Sequence, residues 1–298
     1  MNEPERRVRL STYVLFVPYG EEVEVQHTVR GTTRRIDRAT HEDLLRFCRF
    51  ELPDERHTPW VDAGVLVPPF RDEPDYHGGL RAGTEAKLGR DYQEWYWKRE
   101  VESEREYRWL GRVALKMPAD LFMYQELIVT YQLRRVLEIG HGDGGGLWFF
   151  ATTLALLGGG LVAGVDRDGI GDLPGAATLA NVGVRTFKGD AHDEMTVSAV
   201  GRSVPEGFDL VVLDADPVPS GKLALLGRWA SLVTPGGILV VEDIESPACR
   251  EIRGVTEGVD AFLLERRDFG IVPEAARHPM TKARGGVLRR AIGEHRHD

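Results

Sequence analysis

Three features of the sequence predict an α/β fold: a parallel sheet with helices on both faces, an antiparallel C-terminal edge, and a small α+β unit at the N-terminus. The first is regular strand–helix alternation from about residue 107 onward, the signature of a parallel sheet built from crossover units. The second is a pair of strand candidates near the C-terminus with no helix between them, which suggests an antiparallel addition at the sheet edge. The third is a pair of alternating runs before residue 30 around a glycine-containing turn, which reads as a hairpin outside the main sheet.

The elements follow in order. "RLSTYVLFV" and "EVEVQHTV" alternate like paired strands around "PYGEE". "ATHEDLLRFCRF" reads as a helix with Thr40 as its N-cap and Asp43 three residues on. "TPWVDAGVLVP" gives a short helix and a strand. Residues 1–70 are therefore expected to form a small α+β auxiliary domain, faintly resembling a winged-helix module that binds leader peptides; an oligomerisation arm or a lid is the other reading. Residues 71–106 are densely charged and read as a linker ending in a helix, whose aromatics Tyr92, Trp95, Tyr96 and Trp97 dock on a neighbour. From 107 to 298 the strand-like runs are "RRVLEIG", "GLVAGVD", "VRTFKGD", "FDLVVLD" and "GGILVVED", with "DFGIVPE" and "GGVLRRAI" as the edge pair.

Composition narrows the function. Apolar residues make up 42% and charged residues 29% of the 298, so the chain has enough apolar surface for a packed core. A net charge of −9 argues against a nucleic-acid backbone as partner, because phosphate binding needs clustered Lys and Arg. The opening "MNEPERRVRL" lacks the apolar run of a secretory signal, and no stretch suits a bilayer. A cytoplasmic protein without a membrane partner is expected. Cys48 and Cys249 match no metal spacing and read as two buried free thiols.

The stretch "VLEIGHGDGGGLWFF" carries the strongest functional signal. Gly140, Gly142 and Gly145 spell G-x-G-x-x-G between a strand and a helix, a loop whose backbone N–H groups approach a ligand closely. A dinucleotide is one candidate, for a nicotinamide-dependent oxidoreductase. Glu138 opposes it, since its carboxylate would repel a pyrophosphate and suits a ligand with an ammonium group. S-adenosylmethionine (SAM) has such an amino-acid end and no phosphate. Two further acids fit: Asp166 at a strand end can bind a ribose diol, and Asp190 at the next can accept from the adenine amino group.

With these residues in view, the chain resembles the cephalosporin hydroxylase-like family of SAM-dependent methyltransferases, which includes macrolide-sugar O-methyltransferases. The matching segments are "WLGRVALKMPADLFMYQELI", "LEIGHGDGGGLWFFA", "GVDRD", "KGDAHD", "VVLDADP", "VTPGGILVVEDIE" and "MTKARGGVLRR", over roughly residues 109–290. The resemblance implies a Rossmann-like class I methyltransferase sheet, with Tyr124 among the cofactor-binding residues and Mg²⁺ beside SAM on Asp214, Glu242 and Asp243. Oxygen ligands of this kind suit a hard cation. One departure stands out: the family often has "DADH", whose His is a general base, whereas here residue 217 is proline. His141, His192, His278 and Asp216 are the remaining candidates, unless the metal lowers the hydroxyl pKa unaided. The expected activity is O-methylation of a hydroxylated small molecule, a specialised metabolite such as an antibiotic precursor, by a homo-oligomer; a peptide partner at the N-terminal unit and a SAM-binding but inactive chain are the alternatives.

Overall fold

The computed structural model describes residues 6–27, 30, 32–69, 85–96, 98, 107–170, 173, 175–215, 219–244, 253–278 and 280–293. Near the N-terminus β1 (Arg9–Leu10) pairs antiparallel with β5 (Leu66–Val67), while β2 (Val14–Tyr19), β3 (Glu22–His27) and β4 (Thr32–Ile36) form a three-stranded antiparallel sheet. Tyr19 pairs with Glu22, so the hairpin loop is only Gly20 and Glu21, and Gly20 takes the positive φ of +62° that such a tight turn requires. Strand β4 was absent from the sequence reading: its "TTRR" run is exposed and carries no apolar alternation.

Two short helices complete this unit, α1 (Arg38–Leu45) and α2 (Thr58–Asp62). The expected N-cap of α1 is corrected. Asp37, not Thr40, caps it, because the Asp37 carboxylate accepts from the Thr40 backbone N–H at 2.7 Å, which makes Thr40 part of the first turn.

The linker region contributes α3 (Glu85–Tyr96), followed by the hairpin β6 (Arg108–Trp109) and β7 (Arg112–Val113). Much of the linker, with Trp97 in it, lies outside the described residues. Then come α4 (Pro118–Thr130), β8 (Arg135–Ile139), α5 (Gly145–Leu156), β9 (Gly160–Asp166), β10 (Val182–Lys188), α6 (Glu194–Ser203), β11 (Phe208–Leu213), α7 (Pro219–Trp229), β12 (Val233–Val241), α8 (Arg253–Glu265), β13 (Phe269–Ile271) and β14 (Val287–Arg290). The seven strands of the main sheet run in the order β10-β9-β8-β11-β12-β14-β13. Strands β8 to β12 are parallel, and β14 is antiparallel to both its neighbours, as the sequence predicts.

The order reverses at β8, which lies between β9 and β11. Ligands in open α/β sheets bind beyond the strand C-termini at such a point. The alternation of side chains across the sheet divides the core in two. Val136, Val162, Leu210, Val212 and Ile238 face α4 and α5; Leu137, Ile139, Val211, Leu213 and Leu239 face the other way. That second core is continuous with Leu10, Phe47, Phe50 and Trp60 of the N-terminal unit, so residues 8–67 own a sheet but share their core with the rest. Glycine at 270 allows the contact, because a Cβ there would lie 2.8 Å from the Cys48 carbonyl oxygen. Cys48 is a half-buried free thiol, and Cys249 lies outside the described residues. No helix among the described residues is long and apolar enough to cross a membrane.

A buried ion pair pins the two parts together: Arg9 Nε donates to Asp260 Oδ1 on α8 at 3.0 Å, with side chains 3% and 1% exposed. Arg9→Ala leaves the Asp260 carboxylate buried without this partner. The expected loss is about 3–5 kcal/mol of unfolding free energy, read from urea denaturation. A loss typical of a surface substitution would show that the contact is not buried in solution.

Candidate active site

Beyond the C-terminal ends of the parallel strands lies a cavity of about 490 Å³. The glycine loop is its floor. A Cβ at Gly140 would stand 2.6 Å from the Asp214 carbonyl oxygen, so this loop can lie against the end of β11 only as glycine. A Cβ at Gly146, in the first turn of α5, would stand 2.2 Å from Glu138 Oε1. The small residues thus let a helix start directly on top of a buried carboxylate.

Asp166 and Asp190 line the same cavity, at the ends of β9 and β10. Asp166 is braced by two backbone donors, Gly142 N–H to Oδ2 at 3.0 Å and Asp168 N–H to Oδ1 at 3.1 Å. A carboxylate has about four acceptor positions, so both oxygens retain capacity for a ligand diol. Asp190 Oδ1 accepts the His192 N–H at 2.8 Å.

Of the carboxylates expected to hold a metal, Asp214 and Glu242 meet at Lys116 and Asp243 meets Lys282, and among the described residues no three His, Cys, Asp or Glu side chains stand together as a metal-binding group. Lys116 Nζ lies 2.9 Å from Glu138 Oε1, 2.8 Å from Asp214 Oδ2 and 2.6 Å from Glu242 Oε1. Lys282 Nζ lies 3.2 Å from Asp243 Oδ1. Asp214 and Asp243 reach the cavity, whereas Glu242 is fully buried behind them. Burial alone would lower the Lys116 pKa, but Asp214, Glu138 and Glu242 outweigh it and hold the ammonium well above the ordinary lysine value. Burial and then Glu242 push the Asp214 carboxyl well above the usual carboxylate range. Asp243 adopts a left-handed backbone, φ +61°, a conformation uncommon outside glycine and typical of functional turns.

The other candidates separate. Tyr124 does not line the cavity: its hydroxyl donates to Glu242 Oε1 at 2.5 Å from behind, so it supports an acid. His278 also sits elsewhere, its Nε2 2.8 Å from Glu126 Oε2 on α4. His141 and His192 do line the cavity. His141 Nδ1 contacts the Gly142 carbonyl at 2.9 Å, and its buried Nε2 has no hydrogen-bond partner among the described residues. Asp216 and Pro217 lie outside the described residues.

The profile of a known family, described as rhamnosyl O-methyltransferase/CmcI, matches residues 102–291, well over half the chain. The chain belongs to this family. It is a SAM-dependent methyltransferase, and the oxidoreductase alternative falls. Among solved structures, CmcI with Mg and SAM is 23% identical, over 62% of this chain and 76% of that one, at a TM-score of 0.48. MycE methyltransferase from the mycinamycin biosynthetic pathway, in complex with Mg, SAH and mycinamycin VI, is 18% identical over 98% and 87%, at a TM-score of 0.40. An O-methyltransferase from Bacillus cereus in complex with SAH is 16% identical over 74% and 96%, also at 0.40. No curated protein matches.

In this chain the residues that sequence reasoning missed are the two lysines. Both stand inside segments that carry the resemblance, "ALKMP" and "MTKARGG", but a lysine beside a methionine or a threonine signals nothing until the strand ends are assembled around it. Asp120 was missed as well. It is fully buried, its Oδ1 accepting from Thr281 Oγ1 at 2.6 Å and from the Lys282 N–H at 3.1 Å, so it fixes the Lys282 loop. Burial, reinforced by Glu242 and opposed by Lys282, pushes its pKa up to about 7.

That shift gives a pH prediction. The folded chain keeps the Asp120 proton where the unfolded chain, near the ordinary 3.8, has lost it, so stability falls as pH rises from there through about 7. Urea midpoints are expected to drop more from about pH 5 to about pH 8 in the wild type than in Asp120→Asn. Parallel pH profiles for the two chains would remove Asp120 as the cause.

Proposed function

We propose that this chain transfers the SAM methyl group to a hydroxyl of a small specialised metabolite, with Mg²⁺ held by Asp214 and Asp243 at the cavity and by Glu242 behind them. One observation carries the reading: the glycine loop and five strand-end or near-end carboxylates, Glu138, Asp166, Asp190, Asp214 and Asp243, line a single cavity. The family description, which names a rhamnosyl O-methyltransferase, supports a sugar hydroxyl as the acceptor class. A hydroxylated antibiotic precursor lies within it.

The residues fit each group. Glu138 has one oxygen on Lys116, while Oε2 is buried with no hydrogen-bond partner among the described residues, which suits an incoming ammonium. Asp166 suits the ribose diol and Asp190 the adenine amino group. For the metal, Asp214, Glu242 and Asp243 would supply carboxylate oxygens, the donors a hard divalent cation takes, beside the ammonium groups of Lys116 and Lys282.

When bound, SAM supplies an electrophilic methyl group and Mg²⁺ lowers the pKa of a hydroxyl beside it. The chain's own work is positioning. Asp166 and Glu138 would hold the two ends of the cofactor, and fixing its orientation would supply much of the rate. Tyr96 and Tyr107, stacked with centroids 5.3 Å apart, form a cavity wall that limits water.

Two measurements test this. Asp166→Ala should weaken SAM binding by about 1.5–3 kcal/mol in calorimetry, the worth of lost hydrogen bonds to a charged group; unchanged affinity would remove Asp166 from the site. EDTA should abolish release of S-adenosylhomocysteine in the presence of hydroxylated acceptors while leaving SAM bound, Mg²⁺ should restore it, and Asp214→Asn should behave like EDTA treatment. Full turnover in EDTA would exclude the metal role.

A further inference from the structure

Lys116 lies between β7 and α4, outside the glycine loop and outside the strands that carry the acids. Yet its side chain is 2% exposed and its ammonium, which has three N–H donors, meets three carboxylates at 2.6–2.9 Å. Those acids come from β8 (Glu138), the end of β11 (Asp214) and the end of β12 (Glu242), three adjacent strands spanning the point where strand order reverses. Its backbone is held too, since the Tyr96 hydroxyl donates to the Lys116 carbonyl at 3.3 Å. A lysine needed only for charge balance could meet one acid.

The consequence falls on Glu138. One of its oxygens is engaged by Lys116 and the other is left without a hydrogen-bond partner among the described residues, in a side chain 1% exposed that borders the cavity. Gly146 leaves the space this carboxylate occupies, since a Cβ there would stand 2.2 Å from the engaged oxygen. We propose that Lys116 is a positioning residue for the cofactor: it locks Glu138 in the one orientation whose second oxygen receives the ammonium of SAM, and it ties that orientation to the Asp214 and Glu242 side of the site. This rests on the cofactor reading of the cavity and adds to it a residue at the cavity wall that acts through Glu138.

The test compares two ligands that differ only at the amino-acid end. S-adenosylhomocysteine has the ammonium; 5′-methylthioadenosine has the same adenosine and thioether without it. In calorimetry with EDTA present, Lys116→Met should weaken S-adenosylhomocysteine by about tenfold or more, as expected for a misaligned charge-assisted bond, and leave 5′-methylthioadenosine unchanged. Glu138→Gln should give the same pattern, and combining the two should cost no more than the worse single change. Should Lys116→Met fail to fold, Lys116→Met with Glu242→Gln removes one charge of each sign and is read the same way against Glu242→Gln alone. Unchanged affinity for S-adenosylhomocysteine, or a parallel loss for both ligands, would overturn the positioning role. A wild-type chain that binds neither ligand would instead overturn the cofactor reading itself.

Discussion

The active end of this molecule depends on holding four acids together where water is scarce. A parallel sheet delivers strand C-termini to one edge, and here the ends of β8, β11 and β12 bring Glu138, Asp214 and Glu242 onto Lys116, with Asp243 on Lys282. Removed from water, such a group repels itself and resists ionisation. The counter-charges cannot come from the same strands, whose interior positions are apolar. They come from loops before α4 and between β13 and β14, which place Lys116 and Lys282 against the acids. Every loop that carries one of these cations must then be anchored.

The anchoring explains features that otherwise look incidental. Gln93 of α3 donates to the Thr281 carbonyl at 2.9 Å, and Asp120 of α4 accepts from both Thr281 and Lys282. Tyr96 holds the Lys116 backbone, and Tyr124 holds Glu242. Helices α3 and α4 therefore serve the site by fixing the lysine-bearing loops, while the N-terminal unit, through Arg9 and the shared core, fixes α8 and the antiparallel edge from which the Lys282 loop springs. A perturbation far from the cavity can reach the chemistry by this route.

Much of this architecture was legible in the sequence because it is local. Apolar runs of five to nine residues mark the parallel strands, the absence of a helix between β13 and β14 marks the antiparallel edge, and Gly140 with Gly142 and Gly145 marks the loop. The carboxylates were legible because each ends a recognisable strand. What was hidden is long-range. Lys116 meets Glu242 across 126 positions and Asp120 meets Thr281 across 161, and no periodicity encodes such a pairing. His278 illustrates the converse: it stands four residues from Lys282 in sequence, yet it turns to Glu126 on the outer side of α4. The Thr40 cap failed for a smaller reason, since Asp37 three residues earlier offers the stronger acceptor.

The glycine fingerprint by itself does not choose a cofactor, because a tight strand–loop–helix turn presents backbone N–H groups to any ligand placed on it. The choice lies one layer below. In β8 every residue but Arg135 is buried, and the charged one among the buried residues is Glu138, directly beneath the first turn of α5. A pyrophosphate on that loop would face a buried carboxylate whose charge Lys116 already shares with two other acids. An ammonium would face a buried acceptor with an oxygen to spare among the described residues. The sign of the charge under the loop, more than the loop's shape, is what suits this sheet to SAM.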